Sequence, residues 1–421
     1  MAAPQPALAP SSTPHVPGWK WAVIWIMFFA TMLNYMDRQT MASTQTFIRD
    51  EFKIDKQGYG QIEFYFSITF AIMQLPAGWM ADHMNIRWLY AGAVLVWSVA
   101  GLCTGFADTL FTLYLCRIVL GIGESFNFIC AAGVVGRIMP RETRSLANGI
   151  FNGGASVGSA LTPILAMLIV GAAGEHWRTL FVVVGAAGLV WAIGWFAVVH
   201  GTRAEEMSTH PESADLKVPF SEVMKRPIFW IVFIYGAAIN LTWHFYRFWL
   251  SPLLTDERHV DTKTLQWFLM AFFVCADIGS MLAGWVTRMM VRKGLSVEEA
   301  RKRAMYGCAA LCLLSGPATM VDNMYVAMPM ICLIGMGAMG CFASYYSMVQ
   351  EISGPHTARC LGMLGSLIWF CIAVMQPAAG WAVERMKTFT PMLVAVGFLP
   401  LIGVFISLTW LDKERKKTAQ S

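Results

Sequence analysis

The chain has 421 residues, of which 57% are apolar and only 14% charged, with a formal charge of +5. Soluble domains carry about 25% charged residues, and a soluble chain this apolar would expose far more sticky surface than a monomer tolerates. Soluble enzymes, nucleic-acid binders and secreted disulfide scaffolds are excluded, and the chain is expected to be an all-α integral membrane protein.

Residues 1–17 hold five prolines and no charge, which predicts a disordered tail. No basic segment precedes the first apolar run, and that run is too long for a signal peptide. A membrane helix needs about 20 mostly apolar residues. In chain order such spans are predicted over 19–43, 58–81, 87–106, 109–136, 145–172 and 179–200, then 228–253, 264–290, 304–320, 325–350, 358–382 and 390–411. Short strands of alternating polarity are missing, so a membrane β-barrel is not expected. The spans fall into an N-terminal six-helix bundle (18–200) and a C-terminal one (228–412). A charged linker (201–227) separates them, and a short tail (413–421) follows. The 10 cysteines lie inside apolar runs without a CxxC pair. They are read as small packing residues, with no metal and no cofactor expected.

Lys and Arg in the loops set the orientation. With the N-terminus in the cytoplasm, 20 basic residues fall in cytoplasmic segments and 8 in outer ones. Both termini are therefore expected in the cytoplasm, the protein lying as a multi-pass monomer in a bacterial inner membrane.

Three basic residues remain inside spans: Arg38, Arg117 and Arg247. Three acids are singled out with them: Asp37, Glu124 and Asp277. A charge at mid-bilayer costs about 2.5–3.5 kcal/mol on insertion scales, so these six either pair helices together or do chemistry; the role of Asp277 stays open. Arg117 and Glu124 are seven residues apart, on one face but two turns or about 10 Å separated. Each therefore needs a partner other than the other. Asp37 and Arg38, being adjacent, point about 100° apart. Polar faces run along other spans: Asn148, Asn152, Ser156 and Ser159 on span 5; Tyr59, Glu63, Phe66, Ser67, Phe70 and Gln74 on span 2; Asn240, His244 and Arg247 on span 7. Such stripes line a central cavity or hydrogen-bond one helix to another. For His244 beside Arg247 the cavity is the better reading.

The loop after span 2 reads Gly78-Trp79-Met80-Ala81-Asp82-His83-Met84-Asn85-Ile86-Arg87. It resembles the GxxxDRxGRR signature of the major facilitator superfamily, with Asn85 in place of the second Gly. A degenerate copy follows span 8 at Gly284-Trp285-Val286-Thr287-Arg288, without the Asp. Within the superfamily the chain is similar to the anion:cation symporter family, on three stretches: Asn34 to Arg38, Arg117 to Glu124, and Ala276 to Ser280 with Arg292-Lys293-Gly294. That family includes carriers of hexuronates, galactonate and glucarate. Residues 151–158 resemble the hexuronate carriers more closely, and Ala155 and Phe70 depart from the Gln and Tyr usual in galactonate carriers. The resemblance implies that Arg117 holds the substrate carboxylate, that Tyr35 hydrogen-bonds the substrate, and that Asp37 and Glu124 take up protons with Arg38 linking them. It also implies that Gly78, Asp82 and Arg87 latch the cytoplasmic gate.

Together these readings predict a symporter that couples H+ to an organic monoanion, a hexuronate or similar sugar acid, by alternating access. The substrate would meet Arg117, Tyr35, Phe70, Asn152, Asn240, His244 and Arg247. Alternatives are another carboxylate such as an aromatic acid, an organophosphate/phosphate exchanger, and a membrane sensor that does not transport. No GxSxG or HExxH constellation appears, so no enzymatic activity is expected.

Overall fold

In a computed structural model, residues 16–140, 143–170, 176–208, 220–353 and 357–420 are described. Every regular element among them is helical. The first half contains α1 (Gly18–Phe52), α2 (Lys56–His83), α3 (Ile86–Thr104), α4 (Leu110–Glu124), α5 (Asn127–Ile138), α6 (Arg144–Ile169) and α7 (Trp177–Val198). Two short helices, α8 (Thr202–Ser208) and α9 (Phe220–Lys225), belong to the linker, whose residues 209–219 lie outside those described, as do residues 1–15. The second half contains α10 (Pro227–Pro252), a π-helical turn (Leu253–Glu257), α11 (Thr262–Arg292), α12 (Val297–Cys312), α13 (Ser315–Thr319), α14 (Met324–Ser353), α15 (Thr357–Met386) and α16 (Thr390–Gln420).

Among the described residues, nine helical stretches are long and apolar enough to cross a membrane. α1, α2 and the α12–α13 pair are long enough but carry more polar residues, and they complete twelve antiparallel crossings. An even number of crossings returns the chain to its starting side, here called the terminal end; the other is the distal end. Large apolar side chains such as Phe111, Leu168, Ile193 and Met281 face outward and exposed. Water would not tolerate that surface, but a bilayer requires it.

Three spans differ from the sequence reading, each for a physical reason. α1 runs nine residues past position 43 because Thr44 and Gln45 are buried against protein, and hydropathy scores them as loop. Span 4 breaks at Ser125–Phe126 into α4 and α5. There the Ser125 hydroxyl donates to the Ile122 carbonyl (2.8 Å), while Asn127 ties α3 and α1 to the break through Tyr90 (2.9 Å) and Thr31 (3.2 Å). Span 9 begins seven residues earlier than predicted, because Ser296 caps a charged first turn through Glu299 N (3.2 Å). α16 also continues through 413–420, the expected tail.

The halves meet along two helix pairs. α2 packs on α15, and α6 packs on α11. These are the second, eleventh, fifth and eighth crossings, so exchanging the halves converts one pair into the other, which is the pseudo-twofold relation of a two-bundle carrier fold. Close approach also occurs within the first half: a Cβ added at Gly154 or Gly158 of α6 would strike the α1 backbone at Phe28 and Met32.

The contacts between α2 and the second half start at the distal end, with Lys56 against Asp256 and Tyr59 against Trp249. They continue through Phe66 and Phe70 against Trp369, then Ser366 donating to the Ala71 carbonyl (2.8 Å), and reach Gln74 beside Gly365. The last nine residues of α2, about 14 Å, run beyond them toward the terminal end. At the distal end Asp256 accepts Arg49 Nη1 (2.7 Å) and faces Lys56 Nζ (3.4 Å), while Glu257 accepts Thr388 Oγ1 (2.9 Å) and Phe389 N (2.8 Å). Asp256 thus latches α1 and α2 to the second half. Such partly exposed ion pairs are worth up to about 1 kcal/mol each. Asp256→Asn, which weakens two such pairs, should therefore raise the open population at the distal end several-fold, up to roughly 30-fold. Amide hydrogen exchange over 46–58 and 253–260 reads this directly, and unchanged exchange would remove the latch.

A buried charge cluster between the halves

Helix length sets the depth of each side chain. Arg38, Phe70 and Glu124 each lie 14 residues from the distal ends of α1, α2 and α4, about 21 Å deep. Glu63 and Arg117 each lie seven residues from the distal ends of α2 and α4, about 10 Å deep. The polar residues therefore form two layers separated by two helical turns.

The deeper layer is built on Arg38. Its Nε donates to Glu124 Oε2 in an ion pair whose side chains are both essentially inaccessible. Four aromatic rings surround the guanidinium: Phe70 at 4.5 Å, Phe66 and Tyr35 at 5.3 Å, and Trp369 of α15 at 5.4 Å. Cation–π attraction is strongest in such desolvated settings. Trp369 also packs on Phe70 (4.5 Å) and on His244 (4.7 Å), so it joins the second half to this cage. His244 Nδ1 lies 3.0 Å from the Asn240 carbonyl. A carbonyl only accepts, so Nδ1 carries the hydrogen and Nε2 is left as an acceptor. Asn240 itself donates to the Gly236 carbonyl (2.8 Å). Arg247 stacks on Tyr35 at 4.9 Å, with its Nη2 buried and without a hydrogen-bond partner.

The shallower layer contains Arg117, which is 1% exposed. Its Nε and Nη2 are buried and make no hydrogen bond. Its charge acts on Asp37, Glu63 and Glu124. Glu63, also 1% exposed, accepts a hydrogen bond from Tyr59 (3.3 Å). Asp37 turns the other way from Arg38, as adjacent helical residues must. Its Oδ1 has no partner and lies where a Cβ on Gly101 of α3 would come within 2.7 Å of it.

Most of the sequence candidates thus come together: Tyr35, Asp37, Arg38, Phe70, Arg117, Glu124, His244 and Arg247, with Asn240 holding His244. Asn152 does not join them. It is exposed on α6, and its amide donates to Asn148 O (2.8 Å). Asp277 lies beside Ser156 at the α6–α11 contact, a helix-joining position. Of the gate residues, Gly78 lies in the last two turns of α2, and Arg87 stacks on Trp88 and Phe196 (5.2 Å each). The side chain of Asp82 lies outside the described residues. Next to it, Arg137 donates to the Ala81 carbonyl (2.7 Å).

Sequence reasoning missed Trp369, which carried no signal beyond an aromatic letter in an apolar run. It also miscounted Glu63, which was placed on the polar face of span 2 and left out of the buried charges. The buried set is six: Asp37, Glu63 and Glu124 against Arg38, Arg117 and Arg247, while Asp277 is only partly buried. Fully ionised, it sums to zero. The rule that singled out Asp37 applies equally to Glu63 and would have found it.

Residues 27–362 match the model of the Major Facilitator Superfamily, and the chain belongs to that family of membrane transporters. The chain is 28% identical over 407 residues to the D-galactonate transporter of Escherichia coli O6:H1, an alignment covering 90% of this chain and 92% of that one. It is 22% identical over 416 residues to the hexuronate transporter of Escherichia coli K12, covering 95% of each. A solved bacterial homolog of the human lysosomal transporter Spinster, inward-facing and occupied, has the same fold. The TM-score is 0.74 at 18% identity, with 94% of this chain and 97% of that chain covered.

Proposed function

We propose that the protein carries a sugar-acid monoanion, a hexuronate, together with a proton across a bacterial inner membrane by alternating access. The observation that carries this reading is Arg117: a buried guanidinium with two unpartnered nitrogens, among carboxylates, between two halves able to rock about it. A guanidinium fork matches a carboxylate with two parallel hydrogen bonds. The relatives named as hexuronate and D-galactonate transporters support the substrate class. The aromatic wall of Phe70 and Trp369 supports a cyclic acid, because a sugar ring offers an apolar face to stack and an open chain does not. The charge balance supports the proton. Six buried groups at zero would reach −1 with an arriving carboxylate, and a low-dielectric site does not hold that unless a carboxylate takes up a proton. The same balance disfavours a phosphate dianion. With the terminal end in the cytoplasm, the Asp256 latch closes the outer face.

The test is uptake into proteoliposomes. D-glucuronate and D-galacturonate should accumulate under a proton gradient and stop accumulating when a protonophore removes it. Accumulation of an aromatic carboxylate or a phosphate ester, with no hexuronate accumulated, would replace this reading with one of its rivals.

A further inference from the structure

Glu63 is a carboxylate that the proton and substrate assignments so far leave unused. It lies on α2 at the depth of Arg117 on α4, two turns distal of the Arg38–Glu124 pair. Glu124 already has Arg38. Arg117 has no hydrogen-bonded partner on two of its nitrogens, and among the charges acting on Glu63 that of Arg117 is the largest. The charged and titratable groups facing Glu63 are Tyr59 on α2, Arg117 and Glu124 on α4, and Arg247 on α10. From α15 comes the neutral Gln376, held by the Trp249 indole (2.9 Å) and passing close to Gly60. Two arginines and a phenol therefore surround Glu63, with one competing carboxylate that has its own partner.

We infer that Glu63 and the substrate carboxylate compete for Arg117, so that substrate binding drives a proton onto Glu63. This rests on the substrate and its site being as proposed above. In the empty carrier Glu63 is ionised and supplies the negative charge that a buried guanidinium requires. When a sugar acid brings its carboxylate to Arg117, two carboxylates and one cation would share a dry layer, and like charges so close do not both stay ionised. Glu63 takes a proton from solution, the substrate takes its place opposite Arg117, and no other bond is made or broken. On release the proton leaves Glu63 and the Glu63–Arg117 attraction returns, so the empty carrier can reset without a trapped charge. Glu63 thus sets the proton count: one proton bound per substrate carboxylate belongs to it, in addition to any bound by Asp37 or Glu124.

The experiment measures protons taken up per D-glucuronate bound, by titration calorimetry of the purified full chain in buffers of different ionisation enthalpy. Wild type binding D-glucuronate with proton uptake is the baseline; no binding by wild type would overturn the functional reading and this inference with it. Glu63→Gln should bind D-glucuronate with one proton fewer. Its affinity should fall with rising pH tenfold less per pH unit than that of wild type, as linkage requires. Glu63→Asp should restore the wild-type count. An unchanged count in Glu63→Gln, with binding intact, would reduce Glu63 to a structural partner of Tyr59. If Glu63→Gln does not fold, Tyr59→Phe carries the test. It removes the hydroxyl that favours ionised Glu63, so the pH at which binding is half lost should rise. An unmoved midpoint would overturn the inference.

Discussion

Arg117→Lys should lose D-glucuronate binding, although the charge is kept. A lysine ammonium is a point charge on a flexible stem, whereas the guanidinium presents a planar fork whose two unpartnered nitrogens match a carboxylate. Removing one partner of a buried, hydrogen-bonded charge pair costs about 2–5 kcal/mol, so Arg117→Ala should weaken binding by about 30-fold at least. Arg38 does not substitute, because Glu124 and four rings occupy it. Arg247 does not substitute either, because it stacks on Tyr35 from the other half. Arg117→Ala also strands Glu63 without its main cation, so the lysine variant is the cleaner test of recognition. A thermal-shift titration reads both variants, since a ligand at 100 times its Kd stabilises by about 2.7 kcal/mol. Near-normal affinity in Arg117→Lys would place the carboxylate elsewhere.

The architecture was legible because a bilayer imposes a length and a composition on every crossing. The errors came where that rule gives way to burial in protein. The polar end of α1 is hidden by neighbouring helices, so hydropathy ended span 1 too early. The break after Glu124 leaves no apolar interruption, only a serine and an asparagine whose hydrogen bonds become visible in three dimensions. The site followed the same division. Arg38, Arg117 and Glu124 stood out as charges in apolar runs, and the adjacency of Asp37 and Arg38 correctly implied that they diverge. Which arginine serves which acid was not legible, since Arg38 reaches Glu124 across 86 positions of sequence. Trp369 was invisible for a related reason: its role comes from the second half closing on the first. Asn152, grouped by helical spacing alone, stays on an exposed face of α6 apart from the buried cluster.

Asp37→Asn and Glu124→Gln should both weaken the coupling of proton to substrate, and their structural costs should differ. Each amide mimics the protonated acid, so counterflow exchange of D-glucuronate should persist while accumulation driven by a proton gradient falls toward what the proton on Glu63 alone can drive. Asp37 has a carboxylate oxygen without a hydrogen-bond partner, and its amide variant breaks no ion pair. Asp37→Asn should therefore keep wild-type thermal stability. Glu124 is the partner of Arg38, and removing one member of a buried pair costs about 3–5 kcal/mol because the other charge is left uncompensated. The aromatic cage offsets part of that cost through cation–π attraction, so Glu124→Gln should fold but melt distinctly lower than wild type. Measured together, counterflow, gradient-driven uptake and melting temperature separate the roles. Reduced accumulation in both variants with loss of stability in one alone fits a coupling acid beside a coupling acid that also holds the bundle. If both variants concentrate D-glucuronate as far as wild type does, neither acid carries a coupled proton, and Glu63 remains as the coupling group.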